Sequence, residues 1–184
     1  VSQSMLSTTW LVCREGLPVI RRRCLNCSSD RYRPNGKFRI NANHKLLDVW
    51  LLALCAGCGK TIKLTVLERV QVHTIDPPTL DRFHDNDLTL AAELLADPLL
   101  ARRNSVTLDW ADAWTLRRTA GDGPVVEVGF AERIPIRVTT LLAAGLNVSR
   151  TEVRRLIADG SLQSKRRLTG TVSADFTFED RRST

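Results

Sequence analysis

The chain has 184 residues, 43% hydrophobic and 26% charged, with a formal net charge of +7. This is the composition of one globular domain or two small ones, and it excludes a low-complexity or membrane-embedded chain. The charge is uneven: residues 1–75 hold 12 Lys/Arg against 4 Asp/Glu, residues 76–132 hold 5 against 11, and residues 133–184 hold 10 against 5. Two basic regions flanking an acidic middle predict two separable basic surfaces.

The opening stretch "VSQSMLSTTWLVCREG" has no basic start and no apolar run long enough for a secretory leader. The longest apolar run, "VWLLALCAG", falls far short of the roughly 20 residues that span a bilayer. A soluble cytoplasmic protein without a membrane partner is expected, with its thiols kept reduced. Cys13 reads as a buried or free thiol.

The first chemical signal is "RRRCLNC", where Cys24 and Cys27 form a C-x-x-C directly after Arg21, Arg22 and Arg23. The second is "CAGCGKT", with Cys55 and Cys58 in another C-x-x-C. Its Gly-Lys-Thr ending resembles a phosphate-binding loop, but the spacing is wrong. The loop G-x-x-x-x-G-K-[ST] needs a glycine where Leu54 stands, and it should open a helix. The residues after Lys60 are instead "TIKLTVLERV", alternating and rich in β-branched side chains, which predicts a strand.

Two such pairs can supply four thiolates to one tetrahedral Zn²⁺. Gly59 suits the second knuckle because it takes positive φ without steric cost. The intervening "KFRINANHKLLDVWLLAL" predicts a hairpin turning near residues 41–44. The result is an antiparallel zinc ribbon over residues 1–75, with one structural Zn²⁺ held by Cys24, Cys27, Cys55 and Cys58. Four thiolates leave no coordination position for a reacting water. Iron on four cysteines, thiol redox chemistry and two disulfides remain alternatives that spacing leaves open.

Residues 76–132 predict a mainly helical acidic scaffold. Pro77-Pro78 stops the preceding strand and opens a short helix. Asp87 reads as N-cap of a helix whose buried face is Leu88, Ala91, Leu94 and Leu95, and Pro98 ends or kinks it. "SVTLDWADAWTLRR" is ambiguous: its first half reads as strand, while Trp110 and Trp114 at i, i+4 suggest a helical turn. "AGDGPVVEVGF" predicts a turn and a strand. His44, His73 and His84 lack a second ligand at metal-binding spacing, and Asp81, Asp85 and Asp87 read as caps and polar surface. No nucleophile–base arrangement is present, so no enzymatic activity is predicted.

Residues 133–184 predict two helices and a hairpin. The first helix, about Ile136 to Ala144, is terminated at Gly145. The second has Ser149 as N-cap and Glu152 three residues on, a capping box, with Val153, Leu156 and Ile157 as its buried stripe and Gly160 as its stop. Arg150, Arg154 and Arg155 lie on its other faces. Lys165, Arg166 and Arg167 come next, on the expected hairpin.

This C-terminal pattern resembles the alpha-L RNA-binding motif of a small-subunit ribosomal protein, tyrosyl-tRNA synthetase tails and pseudouridine synthases. Matching positions are Arg137, Leu141, Leu142, Ser149, Arg150, Arg154, Arg155, Leu156, Ile157 and Gly160. The departures are Thr139, where the motif usually has Asp, and the missing Val-Asn-Gly of its hairpin. The resemblance implies that Arg150, Arg154 and Arg155 face an RNA backbone.

The chain also resembles a bacterial family of unknown function that combines paired C-x-x-C knuckles with "NANHKLLDVWL" (Asn41 to Leu51) and Glu68-Arg69 after the second knuckle. In that stretch Leu47, Trp50 and Leu52 read as sheet core, and Asp48 pairs with Glu68-Arg69 or lies on a functional face. The combined expectation is an α+β protein: an N-terminal zinc ribbon, a helical middle and an alpha-L-like module. It would bind structured RNA, ribosomal or transfer RNA included, through Arg21, Arg22, Arg23, Arg137, Arg150, Arg154, Arg155, Lys165, Arg166 and Arg167. The alternative is a zinc-stabilised scaffold whose arginines meet an acidic protein.

Overall fold

The computed structural model describes residues 7–121 and 123–182. Residues 1–6 of the stretch read as leaderless, and Asp122 of the expected Gly-Pro turn, lie outside the described residues. The fold is α+β, with five α-helices and three sheets among the described residues. It divides into two units: residues 16–112, and residues 1–15 joined with 113–184. These limits differ from the three-part reading at 75 and 132, and the reason lies in β1 (Thr8–Arg14) and β7 (Trp114–Thr119). They pair antiparallel from Arg14↔Trp114 outward, and the Glu15 N–H donates to the Ala113 carbonyl at 2.9 Å. Residues 16–112 are therefore an insertion into one strand pair, whose two ends meet as inserted domains require.

The inserted unit is built on a sheet of order β5-β4-β3-β2-β6, made by β2 (Val19–Arg21), β3 (Arg31–Asn43), β4 (Leu46–Cys55), β5 (Thr61–Gln71) and β6 (Thr107–Asp109). β3 and β4 form the expected hairpin, with His44 at φ 55° in its turn. Strict alternation along β4 buries Leu47, Val49, Leu51 and Ala53, the period-two pattern of a sheet with one covered face. Trp50 and Leu52, expected in the core, point to the opposite face and are half-buried, because their parity is opposite to that of Leu47.

Over the buried face lie α1 (Pro77–His84), α2 (Leu88–Ala96) and α3 (Pro98–Arg103). Asp76 caps α1 through Thr79 N–H, and Asp87 caps α2 through the N–H groups of Thr89 and Leu90. Pro98 ends α2 by opening α3, its missing N–H costing nothing at a first-turn position. The buried residues of α2 are Leu90, Ala91, Ala92 and Leu95; Leu88 is 57% exposed. Phe83 meets Phe38 edge-on at 5.1 Å, and Asn104 clasps the edge strand β5, accepting from Thr65 N–H and donating to its carbonyl. The helical middle thus stops at Arg103. The Trp110–Trp114 turn is no helix: the chain bends at residues 111–113 and Trp114 opens a strand.

The composite unit has a sheet of order β10-β12-β8-β1-β7, with β8 at Val125–Phe130, β10 at Leu162–Gln163 and β12 at Phe176–Asp180. A second pair joins β9 (Ile136–Arg137) to β11 (Thr171–Val172). The expected C-terminal hairpin is therefore split: β10 pairs with β12, while β11 leaves to join β9. α4 (Val138–Leu146) and α5 (Arg150–Ala158) form the helix pair. α4 continues through Gly145 and ends at Asn147, whose φ is 55°. Asn tolerates the left-handed region, and Gly145 is needed elsewhere, because a Cβ there would run into the buried Trp10 ring of β1.

Candidate metal centre

The first knuckle leaves β2 and returns into β3. Its neck is closed by Arg22 N–H donating to Asp30 O at 2.9 Å and Cys24 N–H donating to Ser29 O at 2.8 Å. The second knuckle leaves β4 and returns into β5, with Cys55 N–H donating to Lys60 O and Gly59 N–H donating to Cys55 O. Gly59 takes φ +73°, the conformation expected of it. Ala56 N–H donates to Arg31 O at 2.9 Å, docking this turn on the start of β3. Gly57 permits the close approach, since a Cβ there would stand 3.0 Å from Cys27 Sγ.

The two turns bring the four Sγ atoms of Cys24, Cys27, Cys55 and Cys58 within 4.8 Å of one another. Cys24 and Cys58 are 3.8 Å apart and Cys27 and Cys55 3.5 Å. A tetrahedron with legs of about 2.3 Å has edges of about 3.8 Å, so the four sulfurs fit one thiolate-bound ion. All five cysteines are free, and these separations far exceed the roughly 2.05 Å of a disulfide bond. The four residues could therefore hold a metal ion. Cys13 stands apart, half-buried.

The surroundings already favour thiolate at two positions. The Tyr32 hydroxyl and the Asn26 N–H hold the Cys24 thiol down at about 6. The N–H groups of Cys58 and Gly57 lower the Cys55 thiol against the cost of burial. The Ser29 N–H favours the Cys27 thiolate too, but the neighbouring Cys55 sulfur and burial outweigh it and push that thiol up to about 12. Sulfurs this close cannot all be charged without a cation between them, so metal binding here would release protons. Tyr32 is a site residue for which motif spacing gives no signal. It is the only tyrosine of the chain, sits opposite Cys55 in the β3–β4 register and is buried. Its proton is held up to about 12, chiefly by its bond to Cys24. Were a metal held here, this hydroxyl would orient the Cys24 sulfur, as outer partners of metal sites do.

The expected basic residues scatter. Arg21 is engaged with Asp109 at 2.9 Å and Asp30 at 3.6 Å, which raises its pKa through Asp109 first; it ties β2 to β6. Arg22 and Arg23 are exposed. In the composite unit Arg137, Arg150, Arg154, Lys165 and Arg167 are exposed, whereas Arg166 is half-buried with its guanidinium 5.3 Å from the centre of the Phe176 ring. Arg155 is clamped by Glu152 and by Asp159 at 3.0 Å. Ser149 caps α5 through Glu152 N–H as expected, but the Glu152 carboxylate turns to Arg155 instead of completing the box. Two arginines do converge: Arg137 and Arg154 line one cleft of about 350 Å³ with Thr139, Ile157, Leu168 and Gly170. Asp48, expected to pair with Glu68-Arg69, accepts the Arg69 backbone N–H at 2.7 Å.

None of the helices among the described residues is long and apolar enough to cross a membrane. Neither the curated proteins nor the solved structures contain a match to the chain. A family model, "Protein of unknown function (DUF1062)", matches residues 40–168. The match takes in Cys55 and Cys58 and the whole of α1 to α5, while Cys24, Cys27, β1 and β12 fall outside it. The chain belongs to the DUF1062 family.

Proposed function

We propose that this chain is a cytoplasmic protein stabilised by one structural zinc ion that binds structured RNA through α4, α5 and the loop after β10. Zinc is favoured over iron because four thiolates at ribbon-like knuckles, with no open coordination position, are its usual structural site. The same reading makes β2–β5 a zinc ribbon and α4–α5 an alpha-L-like pair.

The observation that carries the RNA reading is the Arg137–Arg154 cleft, which no carboxylate lines. Two guanidinia converging on one recess present paired donors to a phosphate. The remaining lining, which includes Thr139, Thr169 and the apolar Ile157 and Leu168, suits backbone and sugar, the groups through which structured RNA is largely recognised. Exposed Arg150, Lys165 and Arg167 extend this surface, whereas Arg155 is already neutralised within its helix.

The test is binding of total cellular RNA at low and moderate salt, comparing wild type with Arg137→Ala/Arg150→Ala/Arg154→Ala. Wild-type affinity should fall with salt, and the variant should bind more weakly with a shallower dependence, by about 0.7–0.9 log units per contact removed. A variant that binds as well as wild type at low salt removes the RNA assignment. Elemental analysis of the purified protein tests the metal: one zinc per chain is expected, and an iron spectrum would replace it. One observation favours a scaffold instead. Leu25, between Cys24 and Asn26 in the first knuckle, is 94% exposed, as a small protein-contact point would be.

A further inference from the structure

The sheet of the inserted unit has a second face that the RNA reading does not use. Residues directly opposite one another in neighbouring strands share a face. The register sets Arg39 opposite Trp50, Trp50 opposite Thr65, Leu52 opposite Lys63, and Arg33 opposite Leu54. Arg33, Arg39 and Lys63 therefore surround Trp50, Leu52 and Leu54 on the face turned away from the buried Val49 and Leu51.

Arg33, Arg39 and Lys63 are exposed, Trp50 and Leu52 half-buried, and Leu54 is 38% exposed. The Lys63 ammonium stands 5.2 Å from the centre of the Trp50 ring. Among the described residues none of the three cations has an acidic partner. Arg82 of the same unit shows the contrast: it is answered by both Asp87 and Glu93. The acid nearest in register, Asp48, is occupied by the Arg69 N–H. An apolar stripe with an indole, ringed by unanswered cations, matches a strand of alternating phosphates and flat bases. A protein partner would call for acidic residues but would not require the indole.

We propose that this face binds a segment of single-stranded nucleic acid. Arg33, Arg39 and Lys63 take its phosphates, and Trp50, flanked by Leu52 and Leu54, takes an unpaired base. Lys63 moves from the indole to a phosphate and leaves the ring to the base. The site differs from the Arg137–Arg154 cleft in its residues, its unit and its ligand, and it stands whether or not that cleft binds RNA.

The test uses the full chain and a short fluorescent oligouridylate, read by anisotropy at about 50 and about 200 mM salt. Wild type should bind with an affinity that falls with salt. Arg33→Gln/Arg39→Gln/Lys63→Gln should reduce the slope of log affinity against log salt by about 2, since each single-strand contact contributes about 0.7. Trp50→Ala should weaken binding about tenfold, the scale of one lost base stack, and Trp50→Phe should recover most of it. Binding should quench tryptophan fluorescence in wild type but not in Trp50→Phe, a signature that a merely structural Trp50 would not give. The tryptophan quenching that Trp50→Phe abolishes should persist in Arg137→Ala/Arg154→Ala, so the fluorescence reads this face apart from the cleft.

The triple Gln variant, with an unchanged circular dichroism spectrum and melting transition, overturns the proposal if it binds like wild type. Loss of binding in that variant with no quenching and no effect of Trp50→Ala also overturns it, because the face would then be a cationic patch suited to an acidic protein. Should Trp50→Ala fail to fold, the quenching comparison in Trp50→Phe decides.

Discussion

The inserted unit and the composite unit both carry a five-stranded sheet with helices, yet their candidate sites are fixed by opposite means. In the inserted unit four side chains of one chemical type, each within two residues of a tight turn, are driven to one point by the β3–β4 hairpin. In the composite unit the cleft joins Arg137, at the end of a two-residue strand, to Arg154 in the middle of α5. Nothing local to either arginine specifies the other. A thiolate cluster announces itself by spacing, whereas a cationic cleft exists only after the helix pair has folded, and folding there depends on β1 from the far end of the chain.

Metal removal should sharpen this contrast most. A structural zinc ion, as proposed above, would contribute on the order of 10 kcal/mol to a small unit built around it. Chelation, or Cys24→Ser, should therefore collapse hydrogen-exchange protection over β2 to β5 while leaving β1, β7, β8 and β12 protected. Exchange mass spectrometry reads both units in one experiment. Uniform loss of protection would show that the two units are not separately stabilised, and no loss would remove the structural role of the ion.

The opposite perturbation is Gly145→Ala. The added methyl collides with Trp10, a buried ring that also meets Phe178 edge-on at 5.2 Å. Overpacking of this kind costs about 1–3 kcal/mol, so the composite unit should melt earlier, and Trp10→Phe in the same chain should recover part of the loss. The change should not alter metal content. A variant as stable as wild type would mean that α4 and β1 do not interlock as described.

Both perturbations bear on what is legible in one dimension. The knuckles, the hairpin turn at His44, the caps Asp87 and Ser149 and the strand from Thr61 are legible because each depends on a few neighbouring residues. Gly145 reads as a helix stop because a glycine in a helix has two uses, and only the position of Trp10, 135 residues earlier in the chain, distinguishes them. Trp50 reads as core by hydrophobicity, although strand parity with Leu47 already puts it on the other face. Tyr32 and the Arg137–Arg154 pairing need cross-strand register and helix packing, which one-dimensional spacing does not carry.

Asp87 supplies a smaller test within the inserted unit. The Arg82 guanidinium first, then the Leu90 and Thr89 N–H groups, hold its carboxyl below the usual carboxylate range. A depressed folded-state pKa means that the stabilisation is complete above the unfolded value of about 3.9 and is lost as pH falls through the folded value. Asp87→Ala should cost about 1 kcal/mol at neutral pH through the lost cap. Asp87→Asn keeps an acceptor but not the charge, so its deficit should shrink as pH drops below about 4. Urea melts at pH 7 and pH 3 measure both, and a deficit independent of pH would remove the Arg82 contribution.

The smallest expected effect discriminates most finely between the two kinds of basic surface. Arg154 and Arg155 are adjacent on α5 and would count equally in any tally of charge. Arg154 opens onto the cleft with Arg137, whereas Arg155 is held by Glu152 and Asp159, which raise its pKa, Glu152 first. A phosphate approaching Arg155 must compete with two carboxylates already in place, so little counterion release is gained there. Arg154→Ala should lower the salt slope of RNA binding by close to one contact, about 0.7–0.9, and Arg155→Ala by clearly less. Equal slopes for the two variants would mean that the helix attracts RNA as a diffuse charge, and the cleft geometry would lose its claim to a role.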